Sequence, residues 1–267
     1  MKSQVSPGTL RARPRDRIEH LMMVRMGQAI ADHGLIKAGD RVLVAVSGGK
    51  KSLALLYLLD LARRRYSFSF ALYPLFVDRG GGPALSQRVK EIVASFGFRV
   101  QVVETDLPNS NQKIRHRCRA CCAMKYKILE REARKRECTR VALGHHLDDL
   151  VETLLMNLFF SGRIKTLQPK LPWNQGGGDF IKPLLYVEDT YFEHFLRLHN
   201  TNEIAVDCPC RFGQNDIKRK TIRRMLEEMV ILNPKIHRTI LAAVKHIRTS
   251  HLLMDNPPAY HDREKHT

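Results

Sequence analysis

Apolar residues recur at three- and four-residue spacing over residues 17–33, which predicts a helix, and Gly34 marks its end. The run RVLVAV at 41–46 is short, β-branched and almost continuously apolar, as expected for a strand buried on both faces of a parallel sheet. Further strands are predicted at 69–77, 99–104 and 140–144, and further helices at 52–65, 85–96, 122–137, 148–160, 188–199, 215–229 and 234–248. Residues 161–180, with several Pro and Gly, are predicted to form a long loop or arm.

This alternation of strand and helix predicts an α/β fold with a doubly wound, mostly parallel sheet, an N-terminal helix and C-terminal helices. Ligands of such sheets bind beyond the carboxyl ends of the strands. We divide the chain into a basic N-terminal segment with a helix (1–40), a nucleotide-binding α/β domain (41–207), a C-terminal helical part that begins with two cysteines (208–250) and a tail (251–267).

Positive charge is concentrated in three blocks of the 267-residue chain, whose net charge is +18. Residues 1–17 contribute +4 (five basic, one acidic), residues 113–140 contribute +8 (eleven basic, three acidic) and residues 218–224 contribute +5 (five basic). Three basic blocks around a nearly neutral body favour a polyanionic partner, although a single block is also compatible with a solvated helix face. An anionic membrane is the weaker interpretation, because no amphipathic helix presents aromatic residues for insertion.

Several protein classes are excluded by the pattern. No apolar run approaches the ~18 residues that span a bilayer, so no membrane partner is expected. The polar, basic N-terminus lacks the apolar core of a secretory signal. Six cysteines are too few for a disulfide scaffold, and we interpret them as thiols, metal ligands or redox groups in the cytoplasm.

A candidate phosphate-binding loop lies between the strand at 41–46 and the helix after it, with the sequence Ser47-Gly48-Gly49-Lys50-Lys51-Ser52. Two glycines let the backbone bend sharply and approach a ligand closely. Exposed N–H groups and the helix N-terminus would then bind an anion. The loop is not a Walker A motif, and a plain strand–helix turn is the alternative interpretation.

The cysteines form two separated groups. Cys118 and Cys121 make a C-x-x-C pair, and Cys208 and Cys210 lie in a C-P-C turn nearly ninety residues later. Thiolates from separate segments typically assemble a metal site, and a closed zinc site would need four protein ligands. A C-x-x-C pair alone is also compatible with redox chemistry or chance. The remaining two, Cys122 and Cys138, lie in or beside a helical pattern and are interpreted as packing residues.

The chain resembles the PP-loop ATP pyrophosphatase superfamily, whose loop motif is SGGxDS, and within it the tRNA 2-thiocytidine synthetase (tRNA cytidine-32 2-sulfurtransferase) family. The matching segments are GQAIADHGLIKAGDRVLVAVSGGKKS (27–52), Cys118-Arg-Ala-Cys121, LGHHLDDLVETLLMNLFFSGRIKTLQPKL (143–171), IKPLLY (181–186) and the cysteine-containing segment 208–226. They follow the order and spacing of that family over residues 17–230. The resemblance implies an adenine nucleotide alpha hydrolase-like fold, with ATP, Mg²⁺ and tRNA as ligands.

The resemblance also implies a [4Fe–4S] cluster on three cysteines, with one iron left open for sulfide or substrate sulfur. An ungapped match of RKTIRRML (219–226) to the family's helix puts Cys208 at the third ligand position. The predicted ligands are therefore Cys118, Cys121 and Cys208, with Cys210 as the alternative third ligand.

Four polar residues follow the strand at 140–144 and would lie at the carboxyl edge of the sheet, facing a nucleotide: His145, His146, Asp148 and Asp149. By the resemblance, Gly144 and His145 would contact the nucleotide, and Asp148 or Asp149 would hold Mg²⁺ or assist proton transfer. Capping the following helix is the alternative role for Asp149.

Two further residues are assigned roles. Lys125, four residues after Cys121, would lie on the cluster side of the next helix and stabilise an adenylated intermediate or the departing pyrophosphate. The alternative is a solvated helix lysine. Asp78, at the end of a strand, is a candidate contact of the nucleotide.

The loop departs from the family at one position, because Lys51 stands where the motif has Asp. That Asp is expected to organise Mg²⁺ and the departing pyrophosphate, whereas a lysine contacts phosphate as a point charge and cannot bind the metal. Three interpretations remain open: an engineered inactivating substitution, a naturally altered subgroup and a degenerate ATP site. ATP binding is still expected, and whether the chain turns ATP over stays open.

The sequence therefore predicts a cytoplasmic, ATP- and Fe–S-dependent tRNA sulfurtransferase that thiolates C2 of a cytidine through an adenylated intermediate. A cysteine desulfurase or sulfide would donate the sulfur, and a homodimer is possible. Two alternatives remain: a catalytically silent PP-loop protein that binds nucleotide or tRNA, favoured by Lys51, and a thiolase of another base.

Overall fold

The computed structural model describes residues 14–78, 80–105, 114–204 and 214–247, with side chains from residue 122 onward in the third range and from residue 217 onward in the fourth. The helices within these ranges are α1 (Arg17–His33), α2 (Lys50–Arg63), α3 (Gly82–Ser95), α4 (Ile114–Lys135), α5 (Leu147–Ser161), α6 (Thr190–Leu198), α7 (Gln214–Leu232) and α8 (Ile236–Lys245). The strands are β1 (Arg41–Val46), β2 (Ala71–Asp78), β3 (Gln101–Glu104), β4 (Arg140–Ala142), β5 (Lys170–Pro172) and β6 (Asp179–Ile181).

One six-stranded sheet organises the fold, with the strand order β3-β2-β1-β4-β6-β5. All neighbouring strands pair in parallel except β5, which runs antiparallel to β6 at the edge. The doubly wound, mostly parallel α/β fold is thus confirmed. The order reverses between β1 and β4, so the loops that follow these two strands open at the topological switch point, where ligands of such sheets bind.

The strand β1 shows why the sheet needs helices on both faces. Val42, Val44 and Val46 point into a core formed with α1, α2 and α6, whereas Leu43 and Ala45 point into a second core formed with α4. Alternate residues of a strand face opposite sides, so a continuous apolar run requires cover on both. The predicted buried strand is therefore confirmed, with the same bounds.

The prediction of a loop over residues 161–180 was wrong in part. The segment contains β5 and most of β6, and β6 pairs in parallel with β4, for example Phe180 with Val141. Trp173 N donates to Gly178 O at 3.0 Å across the turn that joins the two strands. Strands of three residues are too short to show an alternating pattern. Pro172, the last residue of β5, also argues against a strand in the sequence, because proline is rare within sheets.

The start of α4 also corrects the sequence prediction. The helix begins at Ile114, not near residue 122, so Cys118 and Cys121 lie within it. Its first turns are basic and lack an apolar stripe, so periodicity did not reveal them.

The helices α7 and α8 follow the sheet domain and pack on α5. Ile222 and Leu226 of α7, one turn apart, pack with Leu150 and Val151 of α5. At the other end of the chain, Met22 of α1 belongs to the same core as β1 and α2. The division into segments at residues 40, 207 and 250 stays a prediction. Within the described ranges, no helix combines the length and hydrophobicity needed to cross a bilayer.

Candidate active site

A cleft of about 880 Å³ opens at the switch point between β1 and β4. Its volume falls in the range of about 300–1,000 Å³ that is usual for small-molecule sites. The loop after β1, the loop after β4 and parts of α4, α5, α7 and α8 line it. The polar residues among its lining are Ser47, Lys50, Lys51, Ser52, Lys125, His145, His146, Asp148, Glu152, Asp189, Thr190, Glu203, Arg223, Glu227 and His237.

The loop after β1 wraps around one serine hydroxyl. Ser52 Oγ accepts a hydrogen bond from Ser47 N at 3.0 Å and donates one to Gly49 O at 2.9 Å. Gly48 has φ +81°, and a Cβ there would lie 3.1 Å from Cβ of Ile204. The turn therefore needs glycine at position 48 for both conformation and space.

The N-terminus of α2 lies directly after this turn. Gly49 is the N-cap and provides no side-chain cap, and the first-turn residues Lys50, Lys51 and Ser52 line the cleft. Lys50 N donates to Glu203 Oε2 at 3.2 Å, so a carboxylate already binds where a phosphate oxygen would. The end of β4 packs closely here, because a Cβ at Gly144 would lie 3.3 Å from the carbonyl carbon of Lys51. This arrangement is that of a helix N-terminal anion site.

The surroundings of two adjacent histidines after β4 shift their pKa values in opposite directions. Burial lowers the pKa of His145 to about 4, and its Nδ1 has no hydrogen-bond partner among the described residues. Burial would also lower the pKa of His146, but its contacts with Asp149 and Asp189 outweigh burial and raise it. The cleft therefore contains a neutral imidazole next to one that charges more readily.

His146 connects the loop after β4 to the turn before α6. Its Nδ1 lies 2.5 Å from Oδ2 of Asp149, and its Nε2 lies 3.0 Å from Oδ1 of Asp189. Asp149 Oδ2 also accepts from His146 N at 3.1 Å, so the capping role considered for Asp149 is present, at the third position of α5. Burial would raise the pKa of both carboxyls, but their bonds with His146 outweigh it and hold both pKa values well below the usual range.

The two loop lysines share one acidic partner, Asp189. Lys50 Nζ lies 3.0 Å from Oδ2 of Asp189 and 2.6 Å from Oε1 of Glu193. Lys51 Nζ lies 3.5 Å from Oδ1 of Asp189 and 3.8 Å from Oδ1 of Asp149. Both ammonium groups are thus held by carboxylates at the entrance of the phosphate loop.

The C-terminal helices form another wall of the cleft. His237 Nε2 of α8 lies 3.4 Å from Oδ1 of Asp148. Arg223 of α7 forms two hydrogen bonds with the buried Glu152 of α5, from Nε to Oε1 at 2.5 Å and from Nη2 to Oε2 at 3.3 Å. Such a two-point contact fixes α7 against α5.

Residues 18–229 match the PP-loop domain family. The chain is 35% identical over 232 residues to a tRNA-cytidine(32) 2-sulfurtransferase of Geobacter metallireducens, covering 85% of this chain and 90% of that protein. It is 32% identical to one of Alkalilimnicola ehrlichii, covering 88% and 74%. The chain belongs to the tRNA-cytidine(32) 2-sulfurtransferase family. In fold it is also similar to the U34-tRNA thiolase NcsA from Methanococcus maripaludis, solved with its [4Fe–4S] cluster, with a TM-score of 0.65 and 19% identity over 87% of this chain and 80% of that one.

Most site residues predicted for this 2-sulfurtransferase family member meet in the cleft. Those that line it are Ser47, Gly49, Lys50, Lys51, Ser52, Lys125, Gly144, His145 and Asp148. Gly48 and Asp149 adjoin them through the contacts above. Asp78 is not among the lining residues, because its buried carboxylate accepts from Gly81 N at 2.7 Å and from Ser86 Oγ at 2.6 Å. Its contact with nucleotide stays a prediction.

The predicted cysteine ligands are described only in part. Cys118 and Cys121 lie one turn apart on α4, and Lys125, one turn further along, lines the cleft. Cys208 and Cys210 lie outside the described residues. Of the two packing candidates, Cys138 is buried and burial raises the pKa of its thiol to about 11, whereas Cys122 is exposed. The packing role is thus seen for Cys138.

Four acidic or basic residues in or next to the cleft were missed from the sequence. Asp189, Glu193, Glu203 and His237 all contact predicted site residues. Asp189 and Glu193 stand at the start of α6, where acidic residues ordinarily serve the helix dipole. Nothing in their local pattern indicates the long-range contacts with the loop.

Proposed function

We propose that this chain is an ATP-dependent tRNA sulfurtransferase that replaces the C2 oxygen of cytidine 32 with sulfur. One observation supports the proposal most: the phosphate-type loop and the helix that carries Cys118 and Cys121 contribute to a single cleft, through Ser47–Ser52 and Lys125. A nucleotide bound at α2 would therefore lie close to the cysteine helix. The membership of the 2-sulfurtransferase family supports the substrate.

The residue types fit a cysteine-bound [4Fe–4S] cluster. We assign it to Cys118, Cys121 and Cys208, with Cys210 as the alternative third ligand, because such clusters are held by cysteine thiolates. When bound, a cluster with three protein ligands supplies an open coordination position for sulfur. In the described part of the chain, Cys118 and Cys121 lie on α4. The third ligand lies in sequence between Ile204, which contacts the phosphate loop, and α7, which lines the cleft.

The chain itself would prepare the cytidine for substitution. The C2 oxygen is a poor leaving group until it attacks the α-phosphorus of ATP, which releases pyrophosphate and makes AMP the leaving group. The N-terminus of α2 and Lys50 would bind the phosphates, and Lys125 would stabilise the charge that develops on them. Sulfur then bonds to C2 as AMP leaves, so the net change is oxygen for sulfur.

The substrate base must leave its stack to enter the cleft, which a single-stranded tRNA loop permits at low cost. Arg223 of α7 lines the cleft, and the other basic residues of the block 218–224 on the same helix would bind tRNA phosphates. With tRNA as the substrate, the reaction would take place in the cytoplasm, and a cysteine desulfurase or sulfide would renew the sulfur.

The proposal is tested by nucleoside analysis of tRNA from cells with and without the gene. We expect deletion of the gene to abolish 2-thiocytidine. The intact chain and Cys138→Ser should restore it, whereas Cys121→Ser should not. Oligonucleotide mass spectrometry then locates the base at position 32. Unchanged 2-thiocytidine would contradict the proposal and favour a silent binding protein, and loss of a thiouridine instead would favour a thiolase of another base.

A further inference from the structure

Lys51 lies at the centre of the acidic residues that border the phosphate loop. Its Nζ is 3.5 Å from Oδ1 of Asp189 and 3.8 Å from Oδ1 of Asp149, and its side chain is 30% exposed toward the cleft. We propose that this ammonium supplies the positive charge for which related loops use Mg²⁺, so that the chain binds ATP without a divalent cation. The inference rests on the proposed function only in taking ATP as the nucleotide.

The carboxylate oxygens around Lys51 already have cationic or N–H partners in the structure. In Asp149, Oδ1 faces Lys51 and Oδ2 bonds to the backbone and ring nitrogens of His146. In Asp189, Oδ1 faces Lys51 and His146, and Oδ2 bonds to Nζ of Lys50. All four oxygens therefore face cationic or N–H donors.

The third aspartate of the cleft is also engaged. Asp148 Oδ2 accepts from Asp189 N at 2.9 Å, and its Oδ1 lies 3.4 Å from His237 Nε2. Among the residues that the structure describes, no group of three or more His, Cys, Asp or Glu side chains is arranged to hold a metal ion. Mg²⁺ requires several oxygen ligands in near-octahedral geometry, and an ammonium at this point repels it. The residues present therefore do not fit the metal that the family resemblance implies.

The same residues fit a polyphosphate without a metal. Lys50 and Lys51 carry two positive charges beside the N-terminus of α2, equal in number to those of one Mg²⁺. Tight packing of Gly144 on the backbone of Lys51 fixes the base of that side chain. Lysine binds phosphate as a point charge, so both ammonium groups can exchange carboxylate partners for phosphate oxygens.

The experiment is calorimetric titration of ATP into the anaerobically purified chain, with millimolar Mg²⁺ and with EDTA. We expect the ATP affinity of the intact chain to differ by less than about twofold between the two conditions. In Lys51→Asp, chelation should weaken ATP binding by about tenfold or more, the effect of one contact between charged groups. Lys90→Asp reverses an exposed lysine of α3 and is the matched control, which should behave as the intact chain.

Several results would overturn the proposal. They are a tenfold loss of ATP affinity by the intact chain on chelation, no ATP binding in either buffer, and an equal Mg²⁺ requirement in Lys51→Asp and Lys90→Asp. The first two need only the intact chain and do not depend on whether a variant folds. Nucleoside analysis measures thiolation separately. If 2-thiocytidine is made but ATP binding needs Mg²⁺, only the proposed role of Lys51 is wrong. If ATP binds without Mg²⁺ but no 2-thiocytidine is made, only the proposed thiolation activity is wrong.

Discussion

The imidazole of His146 and the carboxylate of Asp189 join the two loops that border the cleft, with Nε2 and Oδ1 3.0 Å apart. His146 is 2% exposed, and Asp189 also binds Nζ of Lys50. The pair therefore connects the N-terminus of α5, the start of α6 and the phosphate loop. Removing one partner should therefore change both the stability of the chain and the electrostatics of the site.

Asp189→Asn should lower the pKa of His146. Burial alone lowers that pKa, and the contacts with Asp149 and Asp189 raise it above the ordinary value of 6.5, so loss of one carboxylate shifts it downward. NMR titration of the imidazole measures the shift directly. An unchanged pKa would mean that Asp149 alone sets the protonation state of His146.

The same substitution should destabilise the chain in a limited pH range. The folded-state pKa of His146 is raised, so its contribution to stability is complete below 6.5 and is lost as pH rises through the folded value. The folded-state pKa of Asp189 is lowered, so its contribution is complete above its unfolded value of 3.8 and is lost as pH falls. The cost of Asp189→Asn should therefore be largest between these limits, at about 1 kcal/mol because Asp189 is partly exposed. Urea unfolding as a function of pH measures it, and a cost that does not vary with pH would contradict the linkage.

Iron content should depend on three cysteines and not on a fourth. Anaerobically purified protein should be brown with about four iron atoms per chain, as expected for one [4Fe–4S] cluster. Cys118→Ser, Cys121→Ser and Cys208→Ser should each remove most of the iron. Cys138→Ser is the matched control, because burial keeps that thiol protonated. If Cys210→Ser removes the iron and Cys208→Ser does not, Cys210 is the third ligand. Stoichiometric zinc without iron would contradict the assignment of a [4Fe–4S] cluster.

Affinity for tRNA should fall steeply with salt. About six phosphate contacts give a slope of about −5 for log affinity against log salt. Lys220 and Arg224 are exposed on α7, and changing both to Ala should flatten the slope by about 2, one for each contact removed. Arg65→Ala with Lys90→Ala removes the same charge from exposed positions on other parts of the chain and should leave the slope unchanged. A salt-independent affinity would favour a small-molecule substrate.

The elements that dominate the fold were predictable because their signals are local. Five continuous apolar residues, 42–46, define most of β1, and a 17-residue amphipathic stretch between the capping residues Asp16 and Gly34 defines α1. β5 and β6 contain three residues each, and what makes them strands is pairing with β4 and with each other. Pairing over long sequence distances leaves little local trace.

In the candidate site, too, the features with a local sequence signal were predictable and the long-range contacts were not. The glycines of the loop have conformational requirements that appear in the motif itself, as the positive φ of Gly48 shows. The contact of Lys50 with Asp189 joins residues 139 positions apart, and only the packing of α6 against α2 brings them together. The charge at Lys51 was predicted to disturb metal binding, but its carboxylate partners could be identified only from the structure.

Lys125→Met should slow sulfur transfer without removing the cluster. Lys125 lies four residues after Cys121 on α4 and lines the cleft, where its ammonium would face the charge that develops on the phosphates. Losing one well-placed electrostatic contact to the reacting group typically costs about 10²–10³ in rate. Lys127→Met removes an exposed lysine of the same helix and should keep full activity. The measurement is single-turnover formation of 2-thiocytidine in tRNA at saturating ATP, with variants matched for iron content. If both variants react at the rate of the intact chain, Lys125 is a solvated helix lysine and another cation must stabilise the departing pyrophosphate.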